Sequence, residues 1–222
     1  MDTNRKVTVV ITCCGRLGLL RRTLNTFKKY NTYPIEEYII VDDSGDPKIK
    51  QKYIKEYLGK NSNTTLILNE SNIGQSKSID RAYKLVKTPY IFHLEEDWTF
   101  KKAGFIEKSF KLMDTDPKMV TVWLRGLRPS EMNGHTFDKE ILKHDGIEYN
   151  RLRVHKGSFS GYTWNPGLRR LSDYRMVEPF GDITEEKASS WFGNLNFYAV
   201  TLRDIYVIHS GWDSIQKPLK NK

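Results

Sequence analysis

Residues 90–98 read YIFHLEEDW, and this stretch governs how the rest of the chain is interpreted. Its apolar first part is typical of a buried strand, and it runs directly into three consecutive carboxylates, Glu95, Glu96 and Asp97. Because carboxylate oxygens suit Mg²⁺ and Mn²⁺, an acidic cluster at the end of a strand favours a cation or a polar ligand there. The alternative is that the three acids only hydrate the end of the strand.

Alternating strand and helix patterns surround this stretch. Short β-branched or aromatic runs predict strands at residues 7–11, 38–41, 64–68 and 90–94. Apolar residues at helical spacing predict the intervening helices at residues 17–30, 47–58 and 79–86. This alternation predicts an α/β fold with a mainly parallel central sheet flanked by helices.

Polar residues follow each of the predicted strands. In parallel sheets of this kind, ligands bind beyond the carboxyl ends of the strands. The segments at those ends are residues 12–16, 42–43, 69–74 and 95–97. Since these ends meet at one edge of the sheet, their convergence is stronger evidence for a ligand site than any single motif.

The second half of the chain is less regular. Its patterns predict a helix at 105–113, a strand at 119–124, long loops over 125–157 with a hairpin near 147–154, and closing strands at 197–202 and 205–208. Asp182 and Glu185 have the spacing of a capping box, which predicts a helix start there. We expect one domain over residues 1–222, with a nucleotide-binding half at about 5–100 and an acceptor half at about 101–212.

Composition limits the functional classes. A formal charge of +9 on 222 residues favours anionic partners, but no helix-turn-helix, zinc-knuckle or aromatic-basic platform indicates specific nucleic-acid binding. No apolar run is long enough for a transmembrane segment, and the N-terminus lacks the apolar core of a signal peptide. The two cysteines, Cys13 and Cys14, are adjacent, which fits a reducing compartment. We therefore expect a cytoplasmic protein.

Several common catalytic motifs are missing from the sequence. There is no G-x-G-x-x-G after the first strand, no G-x-x-x-x-G-K-[ST] and no G-x-S-x-G. What remains is a nucleotide-type crevice with a carboxylate cluster.

Four segments, in this order, resemble the nucleotide-binding half of a GT-A glycosyltransferase of the family 2 type. They are VVITCCGR (9–16), IIVDDSGD (39–46), NESNIGQSKSI (69–79) and YIFHLEEDW, which takes the place of the family's D-x-D strand. NPGLRR (165–170), the pair Glu185–Glu186 and His209 follow in the order expected of the acceptor half. The resemblance covers about residues 5–212 and implies the GT-A fold.

The resemblance also implies roles for individual residues. The residues it implies for nucleotide-sugar binding are Thr12, Arg16, Asp42, Asn72, Gly74, Lys77 and Glu95. Asp42 is expected to contact the base or its ribose, and Glu95 the ribose or a metal-bound water. Asp97 and His209 are the implied ligands of Mn²⁺ or Mg²⁺, and either Glu185 or Glu186 the implied catalytic base.

The implied activity is metal-dependent transfer of a sugar from a nucleoside diphosphate sugar, with UDP the expected nucleotide, to a hydroxyl of a glycan or other acceptor. Inversion at the anomeric carbon is expected, and retention stays open because the sequence does not fix the direction from which the acceptor approaches. Two alternatives stay open: a sugar nucleotidyltransferase, which would need a Gly-rich basic loop after the first strand, and an inactive nucleotide- or carbohydrate-binding module. Donor sugar, acceptor and oligomeric state are not indicated by the sequence.

The acidic cluster departs from the family pattern, because it reads Glu-Glu-Asp rather than D-x-D. If strand alternation continues through it, Glu95 and Asp97 share one face and Glu96 points away. Asp97 is then the expected metal ligand, and Glu96 the expected structural residue.

Overall fold

A computed structural model describes residues 5–57, 63–126, 137–153 and 159–211. Its first hundred residues alternate strand and helix as the sequence predicts. The elements are β1 (Val7–Cys13), α1 (Leu17–Tyr30), β2 (Glu37–Asp42), α2 (Pro47–Tyr57), β3 (Thr64–Leu68), α3 (Gln75–Tyr83) and β4 (Tyr90–Glu95). The mixed α/β fold with a mostly parallel central sheet is therefore confirmed.

The remaining elements are shorter. They are β5 (Trp98–Phe100), α4 (Phe105–Met113), β6 (Met119–Trp123), β7 (Leu142–His144), β8 (Ile147–Arg151), β9 (Gly167–Arg170), α5 (Leu171–Arg175), α6 (Glu185–Asn194), β10 (Tyr198–Leu202) and β11 (Val207–His209). None of the described helices is long and apolar enough to cross a membrane.

The central sheet has the strand order β3-β2-β1-β4-β9. Strands β1 to β4 pair in parallel, and β9 joins β4 antiparallel. The register sets Thr12 opposite Glu95 and Cys13 opposite Asp42, so the carboxyl ends of three strands meet at one edge. A second sheet has the order β6-β10-β8-β7, and β5 pairs with β11 as a two-stranded ribbon.

A cluster of phenylalanines ties the acidic segment to the second half. The Phe27 ring of α1 lies 5.7 Å from Phe92 and 5.3 Å from Phe100, and Phe100 lies 4.8 Å from Phe105. All four side chains are fully buried. This cluster fixes β4 and β5 on either side of residues 96–97. Core packing of these two strands therefore helps to position the acidic turn.

Some predicted details of the second half differ from the structure. Strands β5 and β9 and helix α5 were not predicted, since elements of three to five residues carry too little periodicity. The helix predicted from a capping box at Asp182 begins at Glu185 instead. Its N-cap is Thr184, whose side chain accepts a hydrogen bond from the Lys187 N–H, so the predicted box is wrong.

The predicted hairpin lies earlier in the chain than expected. β7 and β8 turn at Asp145 and Gly146, both with positive φ, a pair typical of a tight two-residue hairpin. Parts of the predicted 125–157 loop region, residues 127–136 and 154–157, lie outside the described residues. The division into one domain with two halves stays a prediction.

Candidate active site

A cleft of about 300 Å³ opens at the carboxyl ends of the parallel strands. Its walls combine acids, polar groups and one imidazole. The lining residues are Thr12, Cys13, Cys14, Arg16, Asp43, Asn72, Gly74, Gln75, Ser78, Glu95, Glu96, Asp97 and His209. All but Asp43, Gln75, Ser78, Glu96 and the two cysteines were candidate site residues from the sequence.

Arg16 spans two of the three consecutive acids. Its Nε donates to Glu96 Oε1 at 2.7 Å, and its Nη2 donates to Asp97 Oδ2 at 2.9 Å. The two carboxylates are almost completely buried, whereas about a third of the Arg16 side chain is exposed to the cleft. The guanidinium therefore compensates the buried negative charge and still presents one side to a ligand.

Glu96 faces the cleft side of the turn, contrary to the predicted alternation. Besides Arg16, it accepts a hydrogen bond from the Cys14 N–H at 3.1 Å, and its backbone carbonyl accepts one from Thr23 Oγ1 at 2.6 Å. The alternation is wrong past Glu95 because β4 ends there and residues 96 and 97 form a turn. Glu96 thus orients Arg16 rather than packing away from the site.

Glu95 is held on the other side of the turn. Its carboxylate accepts hydrogen bonds from Gln75 Nε2 at 2.7 Å and from Trp98 Nε1 at 3.0 Å. Burial, with a smaller contribution from the neighbouring Asp97, raises the pKa of Glu95 to about 8, although the two hydrogen-bond donors oppose the shift. A carboxyl group of this kind can share a proton with a ligand near neutral pH.

His209 reaches the acidic turn through the β5–β11 pairing. That register places His209 opposite Trp98, and its Nε2 lies 3.3 Å from Asp97 Oδ2. The Ser210 N–H donates to the Asp97 carbonyl at 2.7 Å. A Cβ at Gly211 would clash with Asp97 Oδ2, so any larger residue would displace this carboxylate.

The Asp97–His209 pair fits a divalent cation. Two ligands at right angles, each about 2.1 Å from an ion, lie about 3 Å apart, close to the 3.3 Å between Asp97 Oδ2 and His209 Nε2. Among the described residues, no group of three His, Cys, Asp or Glu side chains is arranged for an ion. An ion here would complete its shell with phosphate oxygens and water, as Mg²⁺-type sites commonly do.

Asp42 and Asp43 have different positions at the end of β2. Asp42 is buried, and its oxygens accept hydrogen bonds from the Gly15 N–H at 2.7 Å and the Ser44 N–H at 3.0 Å. Asp42 therefore braces the β1–α1 loop and is not among the cleft-lining residues. Its implied contact with a base or ribose stays a prediction.

Asp43, which the sequence placed at a strand end without an individual role, organises the loop before α3. It accepts hydrogen bonds from Asn69 Nδ2 at 2.7 Å, from the Ile73 N–H at 2.8 Å and from the Gly74 N–H at 2.9 Å. Gly74 has φ +92°, which favours glycine. The Asp-Asp doublet was the available signal, but the sequence could not show which member faced the cleft.

The other candidate nucleotide contacts divide between the cleft and the surface. Thr12 and Asn72 line the cleft, and Asn72 Nδ2 donates to Cys14 Sγ at 3.6 Å. Lys77 is not among the lining residues; its Nζ lies 2.6 Å from Asp182 Oδ1 in an exposed ion pair. Burial raises the pKa of both cysteine thiols, so neither is an activated nucleophile.

The two candidate bases, at the start of α6, are not equivalent. Glu185 is half-buried, and its Oε2 accepts a hydrogen bond from the Trp164 N–H at 2.6 Å. Burial raises the pKa of Glu185, and the charge of Glu185 makes a small contribution to the raised pKa of Glu95. Neither Glu185 nor Glu186 is among the cleft-lining residues. Glu186 is exposed to solvent.

Known proteins share this architecture. The model of glycosyl transferase family 2 matches residues 8–173. The "Uncharacterized glycosyltransferase MJ1057" of Methanocaldococcus jannaschii is 29% identical over 110 residues, covering 45% of this chain and 38% of that protein.

Solved structures agree in fold over nearly the whole chain. GalNAc-T7 with UDP, GalNAc and Mn²⁺ has a TM-score of 0.67 at 14% identity, covering 94% of this chain and 44% of that one. Mannosyltransferase PcManGT from Pyrobaculum calidifontis with GDP-Man and Mn²⁺ has a TM-score of 0.65 at 14% identity, covering 92% and 56%. S. aureus TarS 1-349 with UDP-GlcNAc has a TM-score of 0.61 at 16% identity, covering 91% and 57%.

This chain spans less than two thirds of each of these proteins. At such low identity the structural likeness establishes the fold alone, which is GT-A. The family model covers most of the chain, from the start of β1 to helix α5. The chain belongs to glycosyltransferase family 2.

Proposed function

We propose that this chain transfers a sugar from a nucleoside diphosphate sugar to an acceptor hydroxyl, with Mn²⁺ or Mg²⁺ as cofactor and UDP as the expected nucleotide. The observation that carries the proposal is the convergence of Arg16, Asp97 and His209 in one cleft at the carboxyl edge of the sheet. Each of the three structural neighbours described above was solved with a nucleotide or nucleotide sugar, and two of them with Mn²⁺.

The donor diphosphate is expected to lie against Arg16. This guanidinium is partly exposed to the cleft, and α3 begins beside it with its positive N-terminal end at Gly74 and Gln75. Asp97 and His209 would hold the divalent cation, which neutralises charge on the leaving diphosphate when bound. The protein's own contribution is to fix these groups through the Glu96 hydrogen bond and the β5–β11 pairing.

Glu185 is the proposed general base. It is half-buried and its pKa is raised by burial, which brings it closer to the working pH of a group that must take a proton from a hydroxyl. Glu186 is solvent-exposed and so less suited to this role. Attack by the acceptor hydroxyl on the face opposite the diphosphate gives inversion, because a single displacement reverses the anomeric centre.

The test is to incubate the protein with Mn²⁺ and a panel of nucleotide sugars and to measure released nucleoside diphosphate. Release should disappear in Asp97→Ala and persist in Glu36→Ala, a change at an exposed acid that pairs with Lys6. Pyrophosphate release from a nucleoside triphosphate and a sugar phosphate would instead support a nucleotidyltransferase. Binding of nucleotide sugars without turnover across donors and acceptors would support a binding module and contradict the proposal.

A further inference from the structure

Arg169, in strand β9, is a buried cation that the proposed reaction does not yet use. Its side chain is 3% exposed, and its guanidinium donates to the backbone carbonyls of Thr163, of Asn165 at 3.0 Å and of Gly167 at 3.3 Å. Among the residues the structure describes, no carboxylate forms a salt bridge with it. These carbonyls are neutral, and so is the Tyr162 ring over which the guanidinium lies. A buried charge in such surroundings is costly to maintain, so its position needs an explanation.

One of those carbonyls connects Arg169 to Glu185. Arg169 Nη2 donates to the Thr163 oxygen, and the N–H of Trp164 donates to Glu185 Oε2 at 2.6 Å. The Thr163 carbonyl and the Trp164 N–H belong to the same peptide group. A cation on the oxygen of a peptide polarises it and strengthens the hydrogen bond that its N–H donates.

The charges around Glu185 support this connection. Burial raises the pKa of Glu185, whereas the hydrogen bond from the Trp164 N–H, then the charge of Arg169 and then that of Arg125 lower it. Two further titratable groups feel the Glu185 charge, Glu95 at the end of β4 and Tyr162 beneath the Arg169 guanidinium. Of the two arginines that act on Glu185, Arg169 is buried and Arg125 is partly exposed.

We propose that Arg169 is the positioning residue of Glu185, acting on its carboxylate through the shared Thr163–Trp164 peptide group. The guanidinium fixes the direction of the Trp164 N–H, which holds the carboxylate in place and favours its ionised, proton-accepting form. The proposal deepens the function proposed above and rests on Glu185 as its base. If Arg169 only braced the 163–167 loop, its removal would cost stability without changing how Glu185 titrates.

The primary test is the titration of Glu185 in the free protein, followed by ¹³C NMR of glutamate carboxyl groups. The Glu185 signal is assigned by its loss in Glu185→Gln. In Arg169→Gln, which keeps an amide donor but loses the charge, the Glu185 midpoint should rise clearly. In Arg169→Lys, which keeps the charge, it should stay near the wild-type value.

Arg170→Met is the matched control. Arg170 is the next residue of β9, and it too braces carbonyls, those of Met113, Pro117 and Met119. Its guanidinium also donates to Asp173, and it forms no described hydrogen bond with the Thr163–Trp164 peptide group. This variant should lose stability and leave the Glu185 midpoint unchanged. An unchanged midpoint in folded Arg169→Gln, or an equal rise in Arg170→Met, would overturn the proposal.

A second measurement needs no variant at Arg169. In the wild-type protein, the ¹⁵N signals of the Arg169 guanidinium and the Trp164 amide should shift with the same midpoint as Glu185. Both shifts should vanish in Glu185→Gln. If these ¹⁵N signals do not change as Glu185 titrates, the proposed coupling through the Thr163–Trp164 peptide group is contradicted. This result does not depend on whether Arg169→Gln folds.

Activity supplies the kinetic readout. In Arg169→Gln, kcat should fall about tenfold on the acid side of the pH profile and stay within about threefold of wild type on the alkaline plateau. If Glu185→Gln leaves kcat unchanged, the base assignment fails, while the NMR titration still decides whether Arg169 acts on Glu185. The two failures are therefore distinguishable.

Discussion

The two halves of the chain build their parts of the cleft in different ways. The first half contributes short runs of neighbouring residues, such as Glu95 to Asp97, at the ends of adjacent parallel strands. The second half contributes His209 to the cleft and places Glu185, outside the cleft-lining residues, against the Trp164 N–H. The first half is therefore organised by the sheet, whereas the second depends on individual contacts, and the two should respond differently to mutation.

The largest effect is expected at the acidic turn of the first half. Asp97→Asn removes one charge of the proposed metal site and weakens the contacts with Arg16 and His209. Turnover should fall by about 10³-fold or more, since a cation that stabilises the leaving diphosphate supplies several kcal/mol. The measurement is kcat with saturating Mn²⁺, and Asp204→Asn, at an exposed ion pair, is the control. A loss below tenfold would remove Asp97 from the metal site.

The second-largest effect is expected in the second half, at Glu185. Glu185→Gln keeps the hydrogen bond from the Trp164 N–H but cannot accept a proton, so kcat should fall by about 10² to 10⁴-fold. Glu186→Gln, on the exposed side of the same helix turn, should lose less than about threefold. Equal losses of kcat in the two variants would contradict the assignment of Glu185 as the base.

Glu185 should also make kcat depend on pH. Because burial raises the pKa of Glu185, the fraction in the ionised, base-competent form is lost as the pH falls through that raised value. The acid limb of kcat should therefore lie above the ordinary range of a glutamate, and it should be absent from the residual activity of Glu185→Gln. The pH profile of both proteins over the acid range checks this.

An intermediate effect should separate neighbouring acids within the first half. Glu96→Gln keeps an acceptor for the Cys14 N–H but loses the charge that holds Arg16. We expect about a tenfold loss in kcat/KM for the donor, between the loss in Asp97→Asn and none. A loss as large as that of Asp97→Asn would make Glu96 part of the metal site rather than the residue that orients Arg16.

The smallest effect is expected at Lys77. The resemblance implies that this residue binds the nucleotide or the diphosphate, but Lys77 forms an exposed ion pair with Asp182 outside the cleft-lining set. Exposed pairs contribute little to stability, and Lys77→Ala should change the donor KM by less than about threefold. A tenfold rise in KM would show that Lys77 leaves Asp182 to bind the donor.

Much of the first half could be predicted from sequence because its elements are long enough to show a period. The observed bounds of α1 and β3 are those predicted, and the other strands up to β4 differ by one or two residues at their ends. Short elements such as β9 and α5 could not be predicted, because their stability comes from pairing with β4 and packing on the core rather than from local pattern.

The sequence by itself determined the α/β class, the run of acids at the end of β4 and the identity of most cleft residues. These follow from local periodicity and from the rule that parallel strands end at one edge. Tertiary structure alone decided that Arg16 bridges Glu96 and Asp97, that Asp43 rather than Asp42 faces the cleft, and that His209 meets Asp97. It also decided that Arg169 and Glu185 share a peptide group. Each of these contacts joins residues from different elements, so it depends on register and packing, which local sequence does not encode.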